Sequence, residues 1–251
     1  MTLHAFFMEE DEQGIEDAIT KLSATDGMRL KAITAPRRRR EFVLSRWLVR
    51  FALSRTLGGH GWSLVGEPGH RPVGRDALGR IHRVVNLSHS RGGILCTVAA
   101  ESPLQLGCDL EAVRERSASS WHRISALERA HPVFSGADRQ WLVEGSASQR
   151  HERLCMLWTL KEAVGKATGR GILRGGVREL EPDWRALTNV LAQVASAAHS
   201  SAANWTAVAV TGPWHVQLLR RTQYWLAVAT PTPRVVKLHV VRRADLIAAD
   251  V

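Results

Sequence analysis

Only three cysteines, Cys96, Cys108 and Cys155, occur in 251 residues, and no two share a CxxC spacing. That argues against a disulfide framework or a zinc ribbon; buried free thiols in a reducing cytoplasm are the simpler account. Also missing is any apolar run near the ~20 residues a membrane span needs. The N-terminus lacks the basic-then-apolar pattern of a signal peptide, and a cytoplasmic location is expected. Its first 17 residues instead carry Glu9, Glu10, Asp11, Glu12, Glu16 and Asp17. No internal repeat is visible by residue identity. No Gly-x-Ser-x-Gly elbow surrounds the serines, and no DNA- or RNA-binding motif is recognisable.

The charge balance points the other way from the acidic start. The net charge is +10, so the remainder of the chain is more basic than the total suggests. A solvated surface is the plain reading of such charge; an anionic partner is the sharper one. Hydrophobic content of 45% with mixed charges describes a soluble globular protein, long enough for one large domain or two small ones.

Periodicity predicts a strand at Leu3–Met8 and a short helical pattern around Ile15–Leu22. A helix follows, with Thr34 as cap, Pro36 in its first turn, and Phe42, Val43, Trp47, Phe51 and Ala52 as its apolar stripe. Gly58-Gly59 ends it. Residues 60–80, rich in Gly, Pro and Arg, read as an extended loop. Val84–Leu87 and Ile94–Ala100 read as strands joined through Ser88–Gly93. Helical material resumes from Trp121, with a helix start at Ser135–Asp138 and a long helix over about Glu152–Thr168. Residues 186–203 read as an Ala/Ser-heavy insertion, and Trp214–Leu219 with Tyr224–Thr230 as a hairpin. Without a regular βαβ rhythm, the fold class is α+β.

Two stretches carry the chemistry. In Leu104–Glu111 the apolar residues Leu104, Leu106, Cys108 and Leu110 alternate with Gln105, Gly107, Asp109 and Glu111. A strand repeats every two residues, so this segment buries its even face and presents Asp109 and Glu111 together on its odd face, toward solvent. Some fifty residues later, Trp158, Glu162 and Lys166 recur every four residues and share one helix stripe. Three carboxylates and an ammonium suit Mg²⁺ and phosphate, because Mg²⁺ takes hard oxygen ligands and keeps waters. Solvated strand acids and a surface i,i+4 pair are the plainer alternatives, and Trp158 on the same stripe argues against full exposure.

Gly107–Glu111, Trp158–Lys166 and the earlier Asn86-Leu-Ser-His-Ser90 occur in the order and spacing of the 4′-phosphopantetheinyl transferases, and the chain resembles their surfactin-synthetase-activating (Sfp-like) type. The resemblance covers roughly residues 36–230. It implies two similar α+β lobes in pseudo-twofold arrangement with the active site in the cleft between them. An N-terminal lobe would cover 1–103, a C-terminal lobe 104–235 and a tail 236–251. It further implies that Asp109, Glu111 and Glu162 hold Mg²⁺ across the pyrophosphate of coenzyme A. Glu162 would take the proton of a carrier-protein serine, directly or through a metal-bound water. Lys166 would contact a phosphate of coenzyme A; Lys161 would do likewise or pair across the cleft; Trp158 is assigned to packing.

Four arginines, Arg37–Arg40, open the first long helix, where the macrodipole disfavours cations by ~0.3–1 kcal/mol each. The run has no evident structural return in the sequence. Arg38 and Arg46 lie eight apart, two turns along one face, and the resemblance puts the 3′-phosphate of coenzyme A there, with Arg39 and Arg40 as further candidates. Ser88 and His89 would grip the pyrophosphate. Arg71, in His70-Arg71-Pro72 where the family usually has Gly-Lys-Pro, would serve the adenosine side. The implied reaction moves 4′-phosphopantetheine from coenzyme A to a serine of an acidic apo acyl or peptidyl carrier protein, of fatty-acid, polyketide or nonribosomal-peptide type, releasing adenosine 3′,5′-bisphosphate. A monomer without membrane or nucleic-acid partner is expected. Two rivals remain: an Mg²⁺-dependent phosphohydrolase using the same carboxylates, and a nucleic-acid-binding module suggested by the charge and nine tryptophans.

Overall fold

The computed structural model describes residues 2–11, 15–66, 73–82, 85–100, 105–113, 132–174, 176–196 and 204–249. Arg71 and the helical material expected from Trp121 lie outside them. In chain order the first half forms β1 (Thr2–Glu9), α1 (Glu16–Thr20), α2 (Ala24–Lys31), α3 (Pro36–Leu57), β2 (Ser63–Val65), β3 (Val73–Arg75), β4 (Ile81–His82), β5 (Val85–Ser90) and β6 (Gly93–Ala99). The second half forms β7 (Gly107–Ala112), α4 (Gly136–Val143), α5 (Ala147–Thr168), α6 (Gly171–Arg174), α7 (Trp184–Ser196), β8 (Thr206–Ala209), β9 (His215–Arg221), β10 (Tyr224–Thr230), β11 (Val235–Val240) and α8 (Arg243–Ala248). The class is α+β.

These elements form two compact units, Met1–Leu104 with Val235–Val251, and Gln105–Arg234. The segment that sequence alone leaves as a tail therefore belongs to the first unit. Its strand β11 pairs in parallel with β1, placing His239 opposite Phe6 and Lys237 opposite His4. The first unit's sheet runs β11-β1-β6-β5, and β2-β3-β4 make a small separate sheet where a loop was expected. Every residue of β6 is buried, as a strand covered on both faces requires.

Helix α3 lacks the expected Thr34 cap. Ala35 is the N-cap, no side chain bonds there, and Pro36 supplies the fixed φ of the first turn. Strand β5 runs on to Ser90, three residues past the sequence reading. The turn needs only Arg91 and Gly92, whose φ values of 49° and 88° suit a two-residue hairpin. Helix α2, unforeseen, starts where the Ser23 hydroxyl accepts from the Asp26 N–H at 3.1 Å.

In the second unit the sheet order is β7-β10-β9-β8. Helix α5 lies on one face of it. Met156, Leu157, Leu160, Ala163 and Ala167 share a core with Trp225, Ala227 and Ala229 of β10. Helix α4 opens with a capping box: Ser135 and Asp138 each accept the other's backbone N–H, at 3.1 and 2.7 Å. Gly169, left-handed, ends α5. The Ala/Ser-heavy stretch becomes α7 up to Ser196. Among the described residues no helix is long and apolar enough to cross a membrane.

Candidate active-site residues

The second unit's candidate site is built on a close approach of helix to strand. A Cβ on Gly107 would fall 1.9 Å from the Ala163 carbonyl oxygen and 2.5 Å from the Ala167 nitrogen. Across the ladder, Ala229 faces Gly107 and Ala227 faces Asp109. Small side chains thus let α5 settle almost onto the backbone of β7. Asp109, two residues along that face from Gly107, meets the helix stripe: Lys166 Nζ donates to Asp109 Oδ1 at 2.7 Å.

This corrects one expectation. The odd face of β7 is covered by α5 rather than facing solvent, and Asp109 is only 3% exposed. Glu111, opposite Trp225, is half-buried, as are Glu162, Lys166 and Trp158. Trp158 leans on Phe134, ring centroids 6.2 Å apart. Burial pushes the Glu162 carboxyl above its ordinary range, the Asp109 charge adds to that, and Lys166 offsets part of it. Burial, the largest single influence, would lower Lys166, but Asp109, through its charge and its hydrogen bond, together with Cys108 and Glu162 more than offsets it and holds the ammonium above its usual range.

Whether these residues suit a divalent cation has a divided answer. Three hard oxygen donors come from β7 and α5, and the Asp109–Glu162 repulsion is what a bound cation would relieve. Yet no described group of three His, Cys, Asp or Glu stands close enough to hold a metal ion. Lys166 supplies the counter-charge to Asp109 instead. The donor set fits in kind, and its carboxylates would have to converge on binding.

Lys161 departs from both readings given to it. It is wholly buried, pairs with Asp138 Oδ2 at 2.7 Å, and donates to the carbonyls of Val177 at 2.7 Å and Leu180 at 3.1 Å. Burial lowers its pKa, and Asp138 opposes the shift. The ammonium is a brace joining α5 to the start of α4 and to the chain after α6. The clue in the sequence was the capping box: Asp138 closes it with one oxygen that also accepts from Lys161.

In the first unit, three of the four arginines at the start of α3 have structural partners, which explains the run. Arg37 pairs with Glu41 at 3.0 Å, Arg40 with Glu10, and Arg39 donates to the Leu30 and Ile33 carbonyls at the end of α2, at 2.7 and 3.1 Å. Arg38 is exposed. Arg46 is not its equivalent: its side chain is 12% exposed, bonds Asp26 Oδ1 through Nε at 3.0 Å, and lies over the Phe42 ring. Alternation along β5 buries Ser88 and exposes His89, so the two point apart. His89 Nδ1 stands 3.7 Å from Glu41 Oε2, and Glu41 also holds Arg37.

Residues 105–229 fit the model of the 4′-phosphopantetheinyl transferase superfamily. The 4′-phosphopantetheinyl transferase HetI of Nostoc sp. is 28% identical over 176 residues, 66% of this chain and 68% of that protein. The 4′-phosphopantetheinyl transferase AcpT of Escherichia coli is 31% identical over 144 residues, 57% of this chain and 64% of that protein. The chain thus spans about two thirds of the length of these relatives. The matched segment is the one in which Gly107 brings β7 under α5 and Asp109 meets Lys166, and it is this segment that is similar to the 4′-phosphopantetheinyl transferase superfamily.

Proposed function

We propose that this chain transfers 4′-phosphopantetheine from coenzyme A to a serine hydroxyl of an apo carrier protein. One observation carries the reading: within the family-matched segment, the Asp109–Lys166 pair adjoins Glu162, whose carboxyl is raised above its ordinary range by burial and by Asp109. A carboxylate with a raised pKa is a better general base near neutrality than an ordinary surface glutamate. In this reaction the serine oxygen forms a bond to the phosphorus that carries pantetheine. The bond from that phosphorus to the bridging pyrophosphate oxygen breaks, and adenosine 3′,5′-bisphosphate leaves. Glu162 receives the serine proton. Lys166 and His89 meet the charge that develops on the phosphate oxygens.

Mg²⁺ bound by Asp109, Glu111 and Glu162 would supply neutralisation of the pyrophosphate charge. Arg38, exposed at the start of α3, is the first choice for the 3′-phosphate, with Arg46, which bonds Asp26, as the second. Ser88 and His89 serve the pyrophosphate and Arg71 the adenosine side. The Trp158, Lys161-Glu162-Ala163 pattern supports the surfactin-synthetase-activating type. The basic surface supports an acidic acyl or peptidyl carrier as partner, with the enzyme working as a cytoplasmic monomer.

The test is mass spectrometry of apo carrier proteins from fatty-acid, polyketide and nonribosomal-peptide systems after incubation with the chain, coenzyme A and Mg²⁺. A gain of about 340 Da, one phosphopantetheine, on a carrier but not on its serine-to-alanine variant is expected. Consumption of coenzyme A without any carrier gaining mass would replace this reading with a phosphohydrolase.

A further inference from the structure

The first unit contains a cavity of about 550 Å³, walled by strands β1 and β11, helix α3 and the C-terminal helix α8. None of the residues discussed above for coenzyme A or the carrier lines it. Its floor is a set of flat rings. His239 stacks on Phe6 with centroids 4.6 Å apart and planes 14° apart, and on His4 at 5.1 Å and 19°. The parallel register of β1 with β11 produces this stack by setting His239 directly beside Phe6. Phe51 of α3 meets Phe6 edge-on, and Arg55, one turn further along α3, also lines the cavity.

The polar groups are few and convergent. His4 Nδ1 and His239 Nε2 share a hydrogen bond at 2.9 Å, which leaves one ring nitrogen on each imidazole for a ligand. Burial keeps both imidazoles below their ordinary pKa, helped for His4 by the charge of Lys237 and for His239 by His4, then Lys237 and Arg55. Among the described residues Arg55 is the one lining cation; Lys237 is felt by both imidazoles but lies outside the lining. Asp245 is the one lining carboxylate, and its Oδ2 already accepts from the Arg242 N–H at 2.7 Å.

We propose that this cavity is a binding site for a flat aromatic acid, its ring lying against the half-buried His4–His239 pair, with Phe6 packed behind it, and its anionic group held by Arg55. The size is that of a small-molecule site, and an apolar wall with a few aimed polar groups is the usual make-up of one. Aromatic rings stack offset on such a surface, and guanidinium is the natural partner for a carboxylate or phosphate.

Equilibrium binding to the full chain tests this, with indole-3-acetate as probe and indole and acetate as its separate halves. Indole-3-acetate should bind with a Kd of ~1 mM or tighter, the range for a ligand of that size. Indole should bind about tenfold more weakly, and acetate alone not measurably. Arg55→Met, at an exposed position outside the core, should reduce indole-3-acetate to the affinity of indole and leave indole unchanged. Ala248→Phe, filling the cavity from α8, should abolish both. Adenosine monophosphate as a second probe separates the sources: binding lost with Arg55→Met assigns the site to nucleotides as well, and binding of indole-3-acetate alone restricts it to carboxylates. Equal affinity of the wild type and Arg55→Met for indole-3-acetate, or no binding at several times 1 mM, would overturn the proposal.

Discussion

Gly107 and Ala163 approach so closely that no side chain fits between them: a Cβ on the glycine would lie 1.9 Å from the alanine carbonyl oxygen. The obstacle is helix backbone, which cannot rotate away as a side-chain tip could. Gly107→Ala should therefore lift α5 from β7 and cost about 3 kcal/mol, the upper end of ordinary overpacking. Transfer should fall with it, because Asp109 is fixed to the strand and Glu162 and Lys166 to the helix. Thermal unfolding and a rate assay check both; a variant melting within a degree of wild type would show that the helix is not seated this way.

Asp109 and Glu162 should respond differently to substitution. Asp109→Ala removes the carboxylate that Lys166 bonds at 2.7 Å, so stability and transfer should both drop, the latter by at least ~10²-fold. Glu162→Gln should lose activity on the same scale and gain stability. Its folded pKa is raised above 4.5 by burial and by Asp109. The proton it keeps stabilises the fold fully below pH 4.5, and that contribution disappears as pH rises through the folded pKa. Glutamine imitates the protonated form, so in the absence of divalent cation the variant should melt above wild type at pH 8 and level with it at pH 4. A pH-independent difference would contradict the assigned shift.

Lys161 and Asp138 should behave as one structural unit. Lys161→Met strands a wholly buried carboxylate and should cost about 3–5 kcal/mol. Replacing both, Lys161→Met with Asp138→Leu, should recover part of that loss. The Michaelis constant for coenzyme A should stay near wild type in whatever folds. A raised constant in a stably folded Lys161→Met protein would return the ammonium to the phosphate.

The arginines divide similarly. Arg38→Ala should weaken coenzyme A more than 3′-dephospho-coenzyme A, since only the former carries the phosphate it is proposed to grip. His89→Ala should weaken the two alike, because both contain the pyrophosphate. Arg46→Ala leaves Asp26 buried without its guanidinium and should lower stability as well as binding. Equal loss of both ligands in Arg38→Ala would move the 3′-phosphate contact elsewhere.

Much of this was legible from local pattern. The alternation of Leu106–Glu111, the Ser135–Asp138 capping box and the Gly169 stop each depend on neighbours in sequence, and they foretold β7, α4 and the end of α5. What local pattern could not supply was the tertiary partner. Periodicity separates the two faces of β7 but does not say that α5 covers the odd one; the glycine at 107 was the available sign. Arg37, Arg39 and Arg40 looked like an uncompensated charge run because Glu41, the end of α2 and Glu10 become their partners only on folding. β11 escaped notice because its parallel partner, β1, lies some 230 residues away.

The partner protein gives the final prediction. The chain carries +10, and Arg38 stands exposed at the start of α3 while its neighbours are paired within the fold. If carriers are acidic around the modified serine, opposite potentials should raise the association rate at low salt. Ions at physiological strength screen charges beyond ~8 Å, so that advantage should fade as salt rises. Contacts to coenzyme A at Lys166 and His89 are short-range and should be less affected. The Michaelis constant for carrier, measured across a salt series at saturating coenzyme A and fixed Mg²⁺, should therefore climb while turnover stays level. A flat constant would refute recruitment by charge, and would assign the basic excess to coenzyme A or to solvation without altering the roles of Asp109 and Glu162.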